Sequence, residues 1–194
     1  MKFYLLLCTV VLLSGCDGFP FGMDRADPSN ITFVGAGQSN MAGENLAETF
    51  PNSVNVALGA THITDWQKGT TLYQAMLTAS QHQPAVILWW QGESEGIDGF
   101  PHGDWKVLFL QMVSDLRSDL HVQIPFIVVQ IGQTNRVAPY WEQVQDEQAS
   151  LAILPHFQVV TARDMYPQLD GIHYTDDQYR IVQKRMLDAF YALK

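Results

Sequence analysis

Short apolar runs punctuate the chain at residues 31–34, 54–58, 85–90, 125–131 and 157–161, each β-rich and without clean alternation. Such runs read as parallel strands buried on both faces, because a strand with one wet face alternates apolar and polar positions. Between them the period changes. Trp105, Leu108, Phe109, Met112, Leu116 and Leu120 recur at helical spacing, as do Leu72, Ala75, Met76 and Ala79, giving each segment one apolar face. A last helix is expected from Thr175, where Thr175 and Gln178 fit a capping box and Tyr179, Val182, Met186, Ala189 and Phe190 form the apolar stripe. Strands alternating with helices predict a three-layer α/β/α sandwich around a five-stranded parallel sheet, with right-handed crossovers. Functional side chains should then gather beyond the carboxyl ends of the strands.

Ahead of the first strand the pattern is different. Lys2 precedes an apolar run over residues 3–13 that leads into Leu13-Ser14-Gly15-Cys16, the form of a short export signal ending in small residues and a cysteine. The run is shorter than the roughly 20 residues of a permanent membrane helix. The segment resembles a bacterial lipoprotein signal, which implies cleavage before Cys16 and lipidation of that residue; an ordinary secretory signal is the alternative. Several acyl chains on one residue give stable attachment, so the expected location is the bacterial cell envelope, lipid-anchored on its periplasmic or extracellular face. With Cys8 inside the signal and Cys16 lipidated, no structural disulfide is expected. Residues 17–29, with Gly18, Pro20, Gly22, Pro28 and Ser29, read as a flexible tether. The chain thus divides into a signal and lipobox (1–16), a tether (17–29) and one domain (30–194), long enough to bury a core of its own.

The formal charge of −9 disfavours nucleic acid as a partner, since phosphate recognition needs clustered Lys and Arg. His62, His82, His102, His121 and His156 show no compact ligand spacing, so no metal is expected, and no Walker-type phosphate loop is present. No cofactor is implied.

Three segments carry chemistry. Gly37-Gln38-Ser39-Asn40-Met41-Ala42-Gly43 follows the first strand, Gln91-Gly92-Glu93 the third, and Asp170-Gly171-Ile172-His173 the fifth. A serine hydroxyl becomes a useful nucleophile only when a base takes its proton during attack. His173 is the candidate base, and Asp170 is close enough in sequence to fix its tautomer and stabilise the imidazolium. Each segment also has a plainer reading. Ser39 could cap a helix, and an Asp-Gly pair is commonly a turn. Met41 stands where the nucleophile elbow of α/β-hydrolases has glycine, which argues against that larger fold.

Taken together, the three blocks resemble those of SGNH-type (GDSL-like) hydrolases, specifically the sialate O-acetylesterase-like branch that includes carbohydrate acetylesterases. The likeness runs from Gly37 to the C-terminal helix. It implies Ser39 as nucleophile, His173 as base and Asp170 as the acid of the triad, with the Ser39 and Gly59 backbone N–H groups and the Gln91 side-chain amide as oxyanion donors. Gln38, Asn40, Glu93 and Trp66 are candidates for site support or substrate contact. Glu93 keeps three readings: structural support, substrate contact, or functional carboxylate in place of Asp170. Trp66 is the tryptophan expected in the cleft, while Trp89, Trp90 and Trp141 are expected in the core. The implied function is hydrolysis of O-acetyl esters on a carbohydrate through an acetyl-enzyme, with activity rising through the ordinary histidine range, about pH 6.5. The alternatives are an SGNH lipase or thioesterase acting on longer acyl chains, and a non-catalytic lipoprotein that binds acetylated glycans.

Overall fold

The computed structural model describes residues 27–99 and 104–193. The strands β1 (Thr32–Gly37), β2 (Ser53–Asn55), β3 (Ala85–Trp90), β4 (Phe126–Gln130) and β5 (Phe157–Thr161) form one parallel sheet in the order β2-β1-β3-β4-β5. Successive side chains of a strand point to opposite faces, and β3 feeds two cores. Val86, Leu88 and Trp90 enter one, with Met41 of α1 (Ser39–Ala42), Trp141 and Val144 of α5 (Trp141–Ala149), and Val182, Met186 and Phe190 of α6 (Asp176–Ala192). Ala85, Ile87 and Trp89 enter the other, with Tyr73 and Met76 of α2 (Thr71–Ala79) and Trp105, Phe109, Met112 and Leu116 of α4 (Trp105–Leu120). This is the α/β/α sandwich expected from the sequence.

The central strands β1, β3 and β4 are buried almost throughout, whereas the outer two are not: β2 leaves Val54 exposed and β5 is half-buried. Burial on both faces therefore holds only where a strand has neighbours on either side. The expected run at 54–58 is a strand only to Asn55, yet the Val56 and Leu58 N–H groups still donate to Gly35 O (2.8 Å) and Gly37 O (3.0 Å). That one-sided pairing delivers Gly59 to the end of β1.

The capping box at Thr175 forms as expected, with Gln178 Oε1 accepting the Thr175 N–H at 2.9 Å. Three of the described α-helices have no counterpart in the apolar pattern: α1, α3 (Glu93–Asp98) and α5. The buried face of α5 is partly amide. Gln145 Nε2 donates to Ile131 O (2.9 Å) and Gly132 O (2.7 Å), and Gln148 Oε1 accepts from the Ile131 N–H (2.8 Å). Its polar residues thus satisfy the backbone leaving β4, which a hydrophobic period cannot register.

Chain connection reverses direction beside β1, with β2 on one side and β3 on the other. Such a switch point opens a crevice at the carboxyl ends of the strands, and the three chemical segments meet there.

Candidate active site

β1 ends in a turn that only glycine fits. Gly37 has φ 125°, and a β-carbon there would lie 2.1 Å from the Trp90 carbonyl oxygen, which accepts the Gln38 N–H at 2.8 Å. Buried Gln38 then reaches to α3, its Oε1 accepting from the N–H groups of Gly92 (3.2 Å) and Ser94 (3.3 Å). Ser39 is half-buried as the first residue of α1. The first N–H groups of a helix have no partner within it, and that of Ser39 is the first in α1. Gly59 lies directly against this serine: a β-carbon at Gly59 would stand 3.5 Å from Ser39 Cβ.

On the loop after β5, Asp170 serves the turn and the histidine at once. Its Oδ1 accepts from the N–H groups of Ile172 (2.9 Å) and His173 (3.0 Å), and its Oδ2 lies 2.6 Å from His173 Nδ1. Those two backbone donors, then the imidazole, hold its carboxyl down at about 2. The loop is braced from the segment after β4, where Thr134 Oγ1 donates to Gly171 O and Arg136 Nε to Asp170 O, both at 2.7 Å.

Asn40 joins the two halves. Its Nδ2 donates to Glu93 Oε1 (2.6 Å) and to the carbonyl of Ile172 (3.3 Å), while its Oδ1 accepts from Tyr179 Oη (3.0 Å). Glu93 is almost fully buried and its Oε1 is taken by Asn40, so it supports the site from within. Burial pushes its carboxyl up to about 7 against the pull of the Asn40 amide.

Gln91 is wholly buried, and its amide is engaged. Its Nε2 donates to Glu95 Oε2 at 2.5 Å and meets Gln38 Oε1 and Thr61 O, each at 3.3 Å; its Oε1 accepts from Trp105 Nε1 at 2.7 Å. One amide hydrogen is thus committed and the other is held by two long contacts. Glu95 also accepts the Ile63 N–H at 2.5 Å, and burial raises its carboxyl. Trp66 is not in the cleft. It is fully buried against Trp89, ring centroids 5.2 Å apart, with its Nε1 donating to Thr61 Oγ1. The short 3-10 turn Ile63–Trp66 rotates the indole into the core, correcting the sequence reading.

Sequence reasoning missed Glu95, Thr134 and Arg136. Glu95 had one local signal, its four-residue spacing from Gln91; the other two act on carbonyls 34 or more positions away, which leave no pattern. Cys16, His102 and the signal segment lie outside the described residues. Among the described residues no group of three or more His, Cys, Asp or Glu side chains could hold a metal ion, and no helix is long and apolar enough to cross a membrane.

A serine after the first strand of a β2-β1-β3-β4-β5 parallel sheet, with an Asp-His pair after the last, has the layout of SGNH-type hydrolases. Solved structures of that class share the fold. A GDSL-like lipase from Bacteroides thetaiotaomicron superposes with TM-score 0.63 at 11% identity, covering 87% of this chain and 91% of the other. A carbohydrate acetylesterase from Xanthomonas citri gives 0.64 at 17% identity, covering 82% of this chain and 55% of the other. The chain belongs to the carbohydrate esterase family described as sialic acid-specific acetylesterase, whose model matches residues 52–192. That match begins beyond the Ser39 turn. A probable carbohydrate esterase of Arabidopsis thaliana is 27% identical over 131 residues, 64% of this chain and 49% of the relative, so the chain spans about half the length of the curated relative it matches. A solved structure of this Arabidopsis protein has TM-score 0.74 at 20% identity, covering 85% of this chain and 99% of that one.

Proposed function

We propose that the chain is a serine esterase that removes O-acetyl groups from a carbohydrate. The observation that carries this reading is the Asp170–His173 pair at 2.6 Å, on a loop tied to the serine turn by Asn40, the residue following Ser39, through the Ile172 carbonyl. Asp170 holds Nδ1, which leaves Nε2 to take the Ser39 proton as Oγ attacks the ester carbonyl. The oxyanion is stabilised by the Ser39 and Gly59 N–H groups, with the weakly held hydrogen of Gln91 as third donor. Protonated His173 gives its proton to the departing sugar oxygen. It then deprotonates water, which attacks the acetyl-enzyme and releases acetate and free Ser39. An open depression of about 490 Å³, lined by Asn135, Pro167, Gln168, Leu169 and Asp170, lies beside the acid of the pair. The sequence of residues 1–16 supports an enzyme tethered through lipid on Cys16 in the bacterial envelope.

The test is the initial rate of 4-nitrophenyl acetate hydrolysis by the full chain against Ser39→Ala, followed by acetate release from acetylated glycans. A loss of about 10³-fold or more in the variant is expected. Equal rates would sink the reading, as would a flat pH profile between about 5 and 8. A chain-length series of nitrophenyl esters should favour acetate; a preference for long chains would move the assignment to a lipase.

A further inference from the structure

Two carboxylates, both almost fully buried, stand two residues apart in the first turn of α3, and the triad mechanism uses neither. They point to different halves of the site. Glu93 Oε1 holds Asn40, which in turn contacts the Ile172 carbonyl beside His173 and Tyr179 of α6. Glu95 holds the Ile63 N–H, four residues beyond Gly59, with one oxygen and the Gln91 amide with the other. The helix is itself held to the serine turn, because Gln38 accepts from Gly92 and Ser94. Gly92 is required: at φ 139° a β-carbon would lie 2.7 Å from Val144 Cγ1 and 2.8 Å from Gln148 Nε2. Burying a carboxylate is expensive unless its hydrogen bonds are made, and these two are spent on the segments that carry the reacting groups.

We propose that α3 positions both halves of the active site, Glu93 setting the Ser39–His173 half through Asn40 and Glu95 setting the oxyanion half through Gln91 and Ile63. The inference rests on the esterase reading above and assigns neither residue a contact with substrate. The titratable groups facing Glu93 are His173, Tyr174 and Tyr179 from the segment after β5, and Glu95 from α3 itself. Burial pushes Tyr179 up to about 12 and Tyr174 higher, so both stay neutral where a histidine titrates.

Glu95→Gln gives one of two donors, the Ile63 N–H or the Gln91 amide, another donor to face. Both tetrahedral intermediates use the same oxyanion donors, so acylation and deacylation should slow together. In pre-steady-state hydrolysis of 4-nitrophenyl acetate by the full chain, kcat should fall about 10–100-fold with KM within about twofold and the burst amplitude intact. A structural defect would instead lower the burst amplitude and leave the rate of the remaining active sites unchanged, which would overturn the proposal. Should Glu95→Gln not fold, Glu95→Asp keeps the charge, shortens the reach, and must also lose kcat. Glu93→Gln can keep the Asn40 hydrogen bond while losing the charge. Glu93→Ala, which leaves Asn40 unheld, should therefore lose more kcat than Glu93→Gln, by about 10-fold, at a KM within about twofold; equal kcat in the two variants overturns the Glu93 arm. Ser39→Ala is run in parallel. Turnover independent of Ser39 refutes the esterase reading, whereas Ser39-dependent turnover with wild-type rates in the Glu95 variants refutes this inference alone.

Discussion

Glu44, just after α1, is 6% exposed and takes no part in the chemistry. Gln183 of α6 donates to its Oε2, while Oε1 is buried without a partner. Burial pushes the carboxyl from an ordinary 4.5 up to about 8, more than the Gln183 amide can offset. Between those values the native state keeps a proton that the unfolded chain has released, so stability falls as pH rises and levels off above 8. At about 1.4 kcal/mol per pH unit the loss attributable to Glu44 approaches 4–5 kcal/mol as an upper bound. For a domain of this size that is roughly 10 °C or more in Tm. Glu44→Gln keeps the shape and an acceptor for Gln183 and has no charge to bury. Urea unfolding of both proteins from pH 5 to 9 should give similar stability at pH 5 and a growing advantage for the variant above pH 6. Glu93 also loses stability over this range, but it is common to both proteins and cancels in the difference. A difference that stays constant within about 0.5 kcal/mol across the range would refute the reasoning.

Three further outcomes are expected. Gly37→Ala places a β-carbon 2.1 Å from the Trp90 oxygen at a φ of 125°, and should lower stability by about 3 kcal/mol or more in thermal unfolding. Asp170→Asn should cut kcat by about 10²–10⁴-fold with little change in KM, since the Nδ1 proton loses its charged acceptor. Trp66→Leu should cost about 2–4 kcal/mol of stability and leave the KM for 4-nitrophenyl acetate unchanged; a raised KM with intact stability would return Trp66 to the cleft.

Features whose partners lie a few residues away were legible before folding was considered. Asp170 and His173 are three positions apart, so one turn can close their hydrogen bond, and the Thr175–Gln178 capping box is equally local. Strand and helix alternation was legible in the same local way: the central strands are short runs buried at almost every position, whereas in α4 burial repeats with the helical period. From that alternation the parallel sheet followed, and with it the shared edge that gathers Ser39, Gly59 and the Asp170 loop. Whatever depends on distant partners was settled by folding. Gln91 is tied to Thr61 30 positions away and Gln38 53 away, and Asn40 reaches Ile172 across 132. Trp66 could be read on either side of its loop until the turn that carries it was fixed. The glutamines of α5 leave no apolar period, because a buried amide and an exposed one are the same letter. They differ in whether a carbonyl from another strand waits for them, and folding alone brings that carbonyl into reach.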